Sequence, residues 1–305
     1  MPSTNDANGA VPLSVVVTTT HPWPQVKGCL ERLLPQIQKL GAELIVADST
    51  GRGLPDPCPE RYAGVRWLKF RGETVFHVRA QATASATGEV IAWTEDHCLP
   101  GADWCAAHVV AHRKQTNAGA VAGIILNGST ATLLDWANYF ISYGQFLPPM
   151  RAHCITRNPG VANVSFKRWA VAGARPDQGW IELVLPGKLR AAGQMAFNGR
   201  AEVAHVQPRS VVEACVGHFD NGRSATGLGT SWMTTGGRWA RFGGAFLLPL
   251  GLLRTSCRIP LSTPGFRRLF LRSFPWMAVL AVCHTAGEFA GLVTGKAGVS
   301  PWRVE

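Results

Sequence analysis

Apolar runs and segments of helical period alternate along the first part of the chain. Short apolar or β-branched runs bounded by loop-forming residues are typical of strands that are buried on both faces. Such runs occupy residues 13–18, 44–47, 65–70, 90–93 and 120–126. Segments with apolar or small residues at helical spacing lie between them, at residues 26–40, 73–86 and 103–114. The alternation predicts an α/β fold with a mostly parallel, Rossmann-like central sheet and flanking helices.

The pattern is less regular in the middle of the chain. Residues 128–174 are rich in loop-forming residues, with one short predicted strand at residues 163–168. Residues 179–192 predict a helix that ends at a glycine. Residues 201–206, which include His205, predict a strand. The sheet is therefore expected to contain two further strands, at residues 163–168 and 201–206.

A second change of composition follows residue 210. The interval between Asp220 and Glu288 contains no acidic residue, but it contains eight arginines and many large apolar side chains. Residues 274–293 are about as long as a segment that spans a bilayer, yet they include Glu288, which is costly in lipid. We therefore expect amphipathic or hydrophobic helices that lie in a membrane interface. The alternative is that these helices pack on the globular domain or on a second subunit.

These changes divide the chain into three predicted parts. Residues 1–12 form a polar, flexible N-terminus, residues 13–210 form the α/β domain, and residues 211–305 form a helical, membrane-associating region. The net charge of +11 favours an anionic partner. Because the arginines alternate with large apolar residues, an anionic membrane surface fits the C-terminal pattern better than nucleic acid does.

The cysteines and the N-terminus bear on the cellular compartment. Eight cysteines are spread along the chain, and none forms a C-x-x-C pair or clusters with histidine at zinc spacing. The N-terminal residues lack the apolar core of a signal peptide. We expect reduced thiols in a cytosolic protein.

The predicted strand at residues 90–93 leads into two acids and a histidine, Glu95, Asp96 and His97. Open α/β sheets bind ligands beyond the carboxyl ends of their strands, and carboxylate oxygens there suit Mg²⁺ or Mn²⁺. A divalent ion in turn suits a diphosphate. The alternative is a solvated loop whose acids bind nothing. The sequence contains no glycine-rich dinucleotide fingerprint and no phosphate-binding loop motif, which disfavours a dinucleotide cofactor.

Four separated blocks together resemble the family 2 inverting glycosyltransferases of the GT-A fold. Their order and spacing carry the resemblance, since no single block is diagnostic. The blocks are residues 13–20, residues 43–49, Arg79 with residues 86–100, and residues 163–166 with 180–182 and His205. The resemblance implies transfer of a sugar from a nucleotide-sugar donor to an acceptor hydroxyl, with inversion at the anomeric carbon.

The resemblance also implies roles for individual residues. Asp96 would hold the metal, Mn²⁺ or Mg²⁺, with His205 as a second protein ligand. His97 could be a third ligand or a polar residue at the rim of the site. This chain departs from the family here, because the family's acidic triplet is usually all Asp. The residues expected to bind the donor are Thr18, Thr20, Asp48, Arg79 and Glu95.

Glu182 is the residue expected to act as the catalytic general base. It lies near a predicted helix N-terminus, where the helix dipole favours the ionised carboxylate, and it could take the proton of the acceptor hydroxyl. Ordinary structural interpretations stay open for three positions. Glu182 could be a first-turn helix residue, Asp48 a turn residue, and His205 a histidine at the edge of the sheet.

The expected partners follow from the resemblance and from the C-terminal pattern. The acceptor is expected to be lipid-linked or presented at the membrane, with the protein on the cytoplasmic face of the cell membrane. No nucleic-acid partner is expected. Small residues in the C-terminal helices are expected to allow close helix packing. These helices could also form a homodimer. Two alternative functions compete, a nucleotidyl- or sugar-phosphate transferase of the same fold and a catalytically silent, membrane-bound scaffold derived from a glycosyltransferase.

Overall fold

The structure is a computed structural model, and it describes residues 11–55, 58–148, 159–172, 180–244 and 247–296. Of the N-terminus predicted to be flexible, residues 1–10 lie outside the described part of the chain, as does a portion of the segment predicted to be rich in loops.

The described residues contain one sheet of eight strands. The strands are β1 (Leu13–Thr19), β2 (Glu43–Asp48), β3 (Arg66–Lys69), β4 (Val90–Glu95), β5 (Cys98–Pro100), β6 (Ala120–Asn127), β7 (Val164–Lys167) and β8 (Met195–His205). Their order in the sheet is β3-β2-β1-β4-β7-β6-β8-β5. The first four strands of this order are parallel, as predicted, and β6 is parallel to β8. Strand β7 runs antiparallel to both β4 and β6, so the predicted α/β class with a mostly parallel sheet is confirmed with this antiparallel insertion.

Helices cover both faces of the sheet. They are α1 (Lys27–Leu40), α2 (Val75–Ser85), α3 (Trp104–Lys114), α4 (Leu133–Tyr143), α5 (Arg168–Val171), α6 (Trp180–Leu183), α7 (Leu185–Ala191), α8 (Val211–Gly229), α9 (Thr235–Gly243), α10 (Leu248–Ser262) and α11 (Arg267–Thr294). Side chains alternate across a strand, so Val15 packs with α1 and α3 on one face, and Val16 packs with α2 and α7 on the other. Both faces of β1 are buried, in agreement with its uninterrupted apolar sequence.

Two predictions for the middle of the chain need correction. Helix α4 lies where the sequence predicts loops, and a capping box between Thr132 and Asp135 fixes its N-terminus. The helix predicted at residues 179–192 is divided into α6 and α7. Pro186 lies in the first turn of α7, where its missing N–H costs no helical hydrogen bond, and so begins a new helix there.

The C-terminal helices pack on the α/β part of the chain. Side chains from α8, α10 and α11, among them Ala214, Phe270 and Met277, join Ile125 of β6 and Phe140 of α4 in one buried cluster. The predicted boundary at residue 210 therefore does not separate two hydrophobic cores. Helix α11 is the one described helix that is long and apolar enough to cross a membrane, and a third (33%) of its apolar window is buried.

Glycines bring α8 and α11 into backbone contact. A Cβ placed on Gly222 of α8 would collide with the carbonyl oxygen of His284, and one placed on Gly287 of α11 would collide with that of Phe219. The small residues that were expected to allow close helix packing thus allow it between α8 and α11.

Candidate active site

Strand pairing brings the predicted donor residues to one edge of the sheet. Thr18 lies opposite Glu95, because β1 is parallel to β4. Thr19 lies opposite Asp48, because β1 is also parallel to β2. The carboxyl ends of three neighbouring strands therefore meet there, at the edge where α/β sheets bind ligands.

Asp96 is buried and its carboxylate is fully engaged. Its Oδ2 accepts hydrogen bonds from Thr19 Oγ1 (2.6 Å), the Thr20 backbone N–H (3.3 Å) and His21 Nδ1 (2.9 Å). Its Oδ1 accepts one from His97 Nδ1 (2.6 Å). Burial opposes ionisation of this carboxyl, but the hydrogen bonds from His21 and His97 outweigh it and hold its pKa well below the usual range. Asp96 is therefore ionised, and its carboxylate holds the side chains of His21 and His97 in place.

Glu95, His97 and His205 bring three possible ligand atoms together. Strand β5 is antiparallel to β8, which sets Cys98 opposite His205 and brings that histidine beside His97. The two Nε2 atoms lie 2.8 Å apart, and Glu95 Oε2 lies 3.6 Å from that of His97 and 3.8 Å from that of His205. One point lies about 2 Å from all three atoms, which is close to common metal–ligand distances.

The chemistry of these ligand atoms also fits a metal ion. The hydrogen bond from His97 Nδ1 to Asp96 fixes the ring so that Nε2 faces the cluster, as second-shell carboxylates do for metal-bound histidines. Burial lowers the pKa of His205 well below its ordinary value, so this imidazole is neutral and can act as a ligand. Cys98 lies within the same group of atoms, but burial raises the pKa of its thiol well above the ordinary value. The two imidazoles and the carboxylate of Glu95 are therefore candidate ligands for a metal ion. Burial lowers the pKa of His97, but its hydrogen bond to Asp96 outweighs burial and raises that pKa, so His97 would have to release a proton to bind the ion.

Arg79 of α2 connects the donor residues to the predicted base. Its side chain is buried, and its Nε donates to Thr18 Oγ1 (3.1 Å). Its two terminal nitrogens form ion pairs with Glu95 Oε1 (3.1 Å) and Glu182 Oε1 (2.5 Å). The guanidinium also lies over the ring of Trp93 at 5.6 Å. The arginine thereby fixes the positions of both carboxylates.

Glu182 lies in α6, and its side chain is only 8% exposed. Burial raises its pKa, and the charge and hydrogen bond of Arg79 oppose that rise without cancelling it. A raised pKa suits a carboxylate that must accept a proton near neutral pH. The carboxylate of Glu182 is therefore buried and ion-paired with Arg79. An ordinary glutamate in the first turn of a helix would instead be exposed to solvent.

Asp48 makes its hydrogen bonds within its own loop and to β3. Oδ1 accepts from the N–H and the hydroxyl of Thr50, and Oδ2 accepts from the N–H of Gly53 (2.8 Å) and from Trp67 Nε1 (3.0 Å). The carboxylate thus shapes the loop after β2. Direct contact of Asp48 with a donor would require some of these bonds to be exchanged.

A cavity of about 400 Å³ contains the site. Its lining includes Glu95, His97, His205 and Glu182, together with Thr20 and Arg79. It also includes groups from α8 and α11, which the sequence analysis assigned to a membrane-associating region.

Arg209 and Tyr143 line this cavity and were missed by the sequence analysis. Arg209 makes no hydrogen bond or ion pair within the part of the chain that the structure describes. Burial lowers the pKa of its guanidinium, and Tyr143 and Glu95 partly offset that effect. Arg209 could have been singled out from the sequence, because it is a basic residue four positions after His205, near the end of a predicted strand. Tyr143 carried none, because α4 was not predicted.

Three solved structures have a similar fold. The mannosyltransferase from Pyrobaculum calidifontis, in complex with GDP-mannose and Mn²⁺, gives a TM-score of 0.50 at 17% identity over 89% of this chain and 86% of that chain. Glucosyl-3-phosphoglycerate synthase from Mycobacterium tuberculosis, in complex with Mn²⁺, UDP and phosphoglyceric acid, gives 0.50 at 16% identity over 72% and 78%. A mycobacterial protein gives 0.50 at 13% identity over 72% and 74%. At these identities the likeness shows the GT-A fold alone, which confirms the predicted fold class.

No protein-family model matches the chain, and no curated protein matches it in sequence.

Proposed function

We propose that this chain is a metal-dependent, inverting glycosyltransferase, similar to family 2 members and resembling hexosyltransferases, that transfers a sugar from a nucleotide-sugar donor to an acceptor hydroxyl. One observation carries the proposal. The convergent atoms of Glu95, His97 and His205 share a cavity with the buried Glu182 and with Arg209. Structural neighbours with the same fold were solved with a nucleotide sugar or a nucleotide and with Mn²⁺, which supports it.

Glu95, His97 and His205 would hold the ion. When bound, Mn²⁺ or Mg²⁺ supplies Lewis-acid stabilisation of the negative charge that develops on the departing diphosphate. Two imidazole ligands favour a transition ion such as Mn²⁺, because Mg²⁺ prefers oxygen ligands. In this proposal Asp96 acts through His97. The direct ligation expected from the sequence would require Asp96 to exchange hydrogen bonds for the ion.

Several of the chain's own groups would bind the donor. Thr18 lies near the end of β1 and Thr20 follows that strand, and Arg79 of α2 donates to Thr18. Asp48 would act on the nucleoside through the loop that it organises. Arg209 supplies a guanidinium beside the metal cluster that makes no ion pair with a described residue, and it would pair with the diphosphate there.

Glu182 would accept the proton of the acceptor hydroxyl as the new glycosidic bond forms. Its carboxylate must first lose part of its ion pair with Arg79, and anionic groups of the donor would compete for that arginine. A single base acting opposite the leaving group gives inversion at the anomeric carbon.

We further propose that the protein works in glycan biosynthesis at the cytoplasmic face of the cell membrane, on a lipid-linked or membrane-presented acceptor. Helix α11 exposes an apolar stripe that includes Leu271, Val282 and Val293. The exposed arginines Arg268 and Arg272 lie in its first turns. An anionic bilayer surface suits this combination. A homodimer through the same face is the competing arrangement.

The proposed function is tested by the release of nucleoside diphosphate. The full chain is incubated with UDP- and GDP-sugars and Mn²⁺, with acceptor extracts that contain lipid-linked glycans. Replacement Glu182→Gln should lower kcat by about 10²- to 10⁴-fold, with the affinity for UDP or GDP retained. The matched control is Glu202→Gln, which changes an exposed glutamate of β8.

The outcomes separate the alternatives. Release of inorganic diphosphate instead of nucleoside diphosphate would support a nucleotidyltransferase. A chain that binds no UDP or GDP with Mn²⁺, and for which Glu182→Gln has no effect, would support the silent scaffold.

A further inference from the structure

We propose that α8 and α11 form an acceptor subsite that binds the hydroxyl groups of an uncharged sugar or polyol. The proposal rests on the proposed function, since it assigns an acceptor class to the same cavity. Asp220, Asn221 and Ser224 of α8 and His284 of α11 line that cavity together with Glu182 and His205. The sugar transfer proposed above gives no role to the residues of α8 and α11 in this wall.

Asp220 is the most informative group of this wall. Its Oδ2 is buried and has no hydrogen-bond partner among the described residues. An unsatisfied buried oxygen destabilises a protein, and a carboxylate oxygen can only accept. Arg223, one turn further along α8, supplies the positive charge that acts on this carboxylate, and its Nε is also buried without a partner among the described residues. The carboxylate makes no hydrogen bond with a described residue and Asp220 lines the cavity, so it can accept a hydrogen bond from a ligand hydroxyl there.

Asn221 extends the same chemistry. Its side chain is exposed, and it makes no hydrogen bond within the described part of the chain. An amide both donates and accepts, so Asn221, which lines the same cavity as Asp220, suits a second hydroxyl of the ligand. Asp220 disfavours a phosphate or carboxylate ligand at this position, although the charge of Arg223 on the same helix offsets part of this repulsion.

The cavity therefore separates its charges. Arg209, beside the histidines of the metal cluster, provides a positive charge for an anion, and Asp220 provides a negative charge for hydroxyl donors. An acceptor that presented an anionic group to α8 would lose the contact that Asp220 offers. This arrangement selects a neutral acceptor group at the subsite, whether that group is free or carried by a longer molecule.

Contacts between α8, α11 and α4 hold the subsite in place. The backbone contacts at Gly222 and Gly287 fix α8 against α11, and His218 Nε2 donates to Asn138 Oδ1 of α4 at 2.8 Å. His284 is held by Glu288, at 3.3 Å between Nε2 and Oε1. A wall fixed in this way costs little ordering when a ligand binds.

The test measures binding of small probes to the full chain by saturation-transfer NMR, both without nucleotide and with UDP or GDP plus Mn²⁺. The probes are the methyl glycosides of glucose, mannose, galactose and N-acetylglucosamine, with 3-phosphoglycerate as the anionic comparison. The variants are Asp220→Asn and Asn221→Ala. The matched control Asp103→Asn removes an exposed carboxylate before α3 that makes no capping bond.

We expect at least one glycoside to bind and to be preferred over 3-phosphoglycerate. Asp220→Asn should weaken that binding about tenfold or more, because it removes a charge-assisted hydrogen bond. Asn221→Ala should weaken it less, and Asp103→Asn should leave it unchanged. Melting temperatures identify any variant that fails to fold, and in that case Asn221→Ala decides.

Three results would overturn the subsite. These are no glycoside binding in a chain that binds UDP or GDP, equal glycoside affinity in Asp220→Asn, and a preference for 3-phosphoglycerate. If neither nucleotide binds, the proposed function fails by itself. The nucleotide-free measurements then still decide whether Asp220 holds a neutral glycoside.

Discussion

Asp96 is a residue whose predicted role and observed contacts differ. Its oxygens accept from His21 and His97 instead of facing the cluster of ligand atoms. We expect Asp96→Asn to weaken Mn²⁺ binding about 10- to 100-fold, which is typical for loss of the group that orients a metal-bound histidine. Titration followed by electron paramagnetic resonance measures the affinity. Unchanged affinity would contradict this role, and Asp103→Asn is the control.

Two buried histidines of α3 predict how stability depends on pH. His108 Nε2 donates to Asn163 Oδ1 (3.0 Å), Ser165 Oγ donates to His108 Nδ1 (2.8 Å), and His112 Nε2 donates to Ser165 Oγ (2.9 Å). Burial lowers the pKa of His108 to about 3 and that of His112 to about 4, from 6.5. Both are therefore neutral when the chain is folded. Between these values and 6.5 the unfolded chain binds more protons, so stability is retained above pH 6.5 and falls as the pH falls.

The expected change is measurable by urea unfolding. At about 1.4 kcal/mol for each pH unit below 6.5, His108 alone should lower the free energy of unfolding by roughly 2 kcal/mol between pH 7.5 and pH 5. The variant His108→Asn should show a shallower dependence on pH, whatever its stability at pH 7.5. Replacement His77→Asn, in α2, is the control. Equal slopes in the His108 variant and the wild type would refute the interpretation.

At the scale of elements, hydrophobic patterns in the sequence predicted the strands and helices whose burial is evident from their own residues. The apolar runs of β1, β2 and β4 are buried on both faces, so each was visible without knowledge of its neighbours. Helix α4 was missed because its apolar side chains gain their stability from contacts with α10 and α11, which lie more than 100 residues away along the chain. The sequence likewise could not reveal that α8 and α11 close the cavity.

Part of the candidate site was expected from the family resemblance, including Thr18, Glu95 and Arg79. The structure brings Thr18 and Glu95 together because parallel strands place their carboxyl ends at one edge of the sheet, and Arg79 reaches both from α2. The direction of Asp96 could not be predicted, because it depends on how the chain turns after Glu95 and on which hydrogen bonds the loop after β1 offers. His205 reaches His97 only through the antiparallel pairing of β5 with β8, and β5 has just three residues.

The crossing of α8 and α11 yields a prediction for an element. A Cβ at position 287 would collide with the carbonyl oxygen of Phe219, so Gly287→Ala must push the two helices apart. We expect it to lower the free energy of unfolding by about 1–3 kcal/mol and to weaken glycoside binding along with it. The control is Gly251→Ala in α10, where a Cβ meets nothing within 4 Å. That change should stabilise the chain slightly, since alanine favours a helix over glycine. Equal destabilisation by both variants would contradict the close crossing.

At the scale of the whole molecule, the C-terminal helices have two faces with different surroundings. The inner face of α11 contributes Met277 and Leu280 to the core and His284 to the cavity. The outer face leaves Val282 and Val293 each 59% exposed. A soluble monomer rarely exposes a continuous apolar stripe of this length. Helix α11 therefore connects the cavity of the candidate active site with the exposed apolar surface.

This arrangement predicts binding to anionic membranes. The full chain should sediment with vesicles that contain phosphatidylserine or phosphatidylglycerol, and much less with phosphatidylcholine alone. Three arginines near the start of α11 are exposed, namely Arg267, Arg268 and Arg272. At about 1 kcal/mol for each basic residue near an anionic surface, their joint replacement by Gln should weaken vesicle binding about a hundredfold.

The matched control removes equal charge elsewhere, with Lys39, Arg113 and Lys114 of α1 and α3 replaced by Gln. It should bind anionic vesicles like the wild type, because those helices carry no exposed apolar stripe beside their charges. Replacing Val279 and Val282 by Gln should weaken binding even at high salt, where the arginines are screened. A chain that ignores anionic vesicles, or that loses binding equally in both charge variants, would refute the membrane surface. If such a chain also sedimented as a dimer that the valine variants dissociate, the stripe would instead be an interface between two copies.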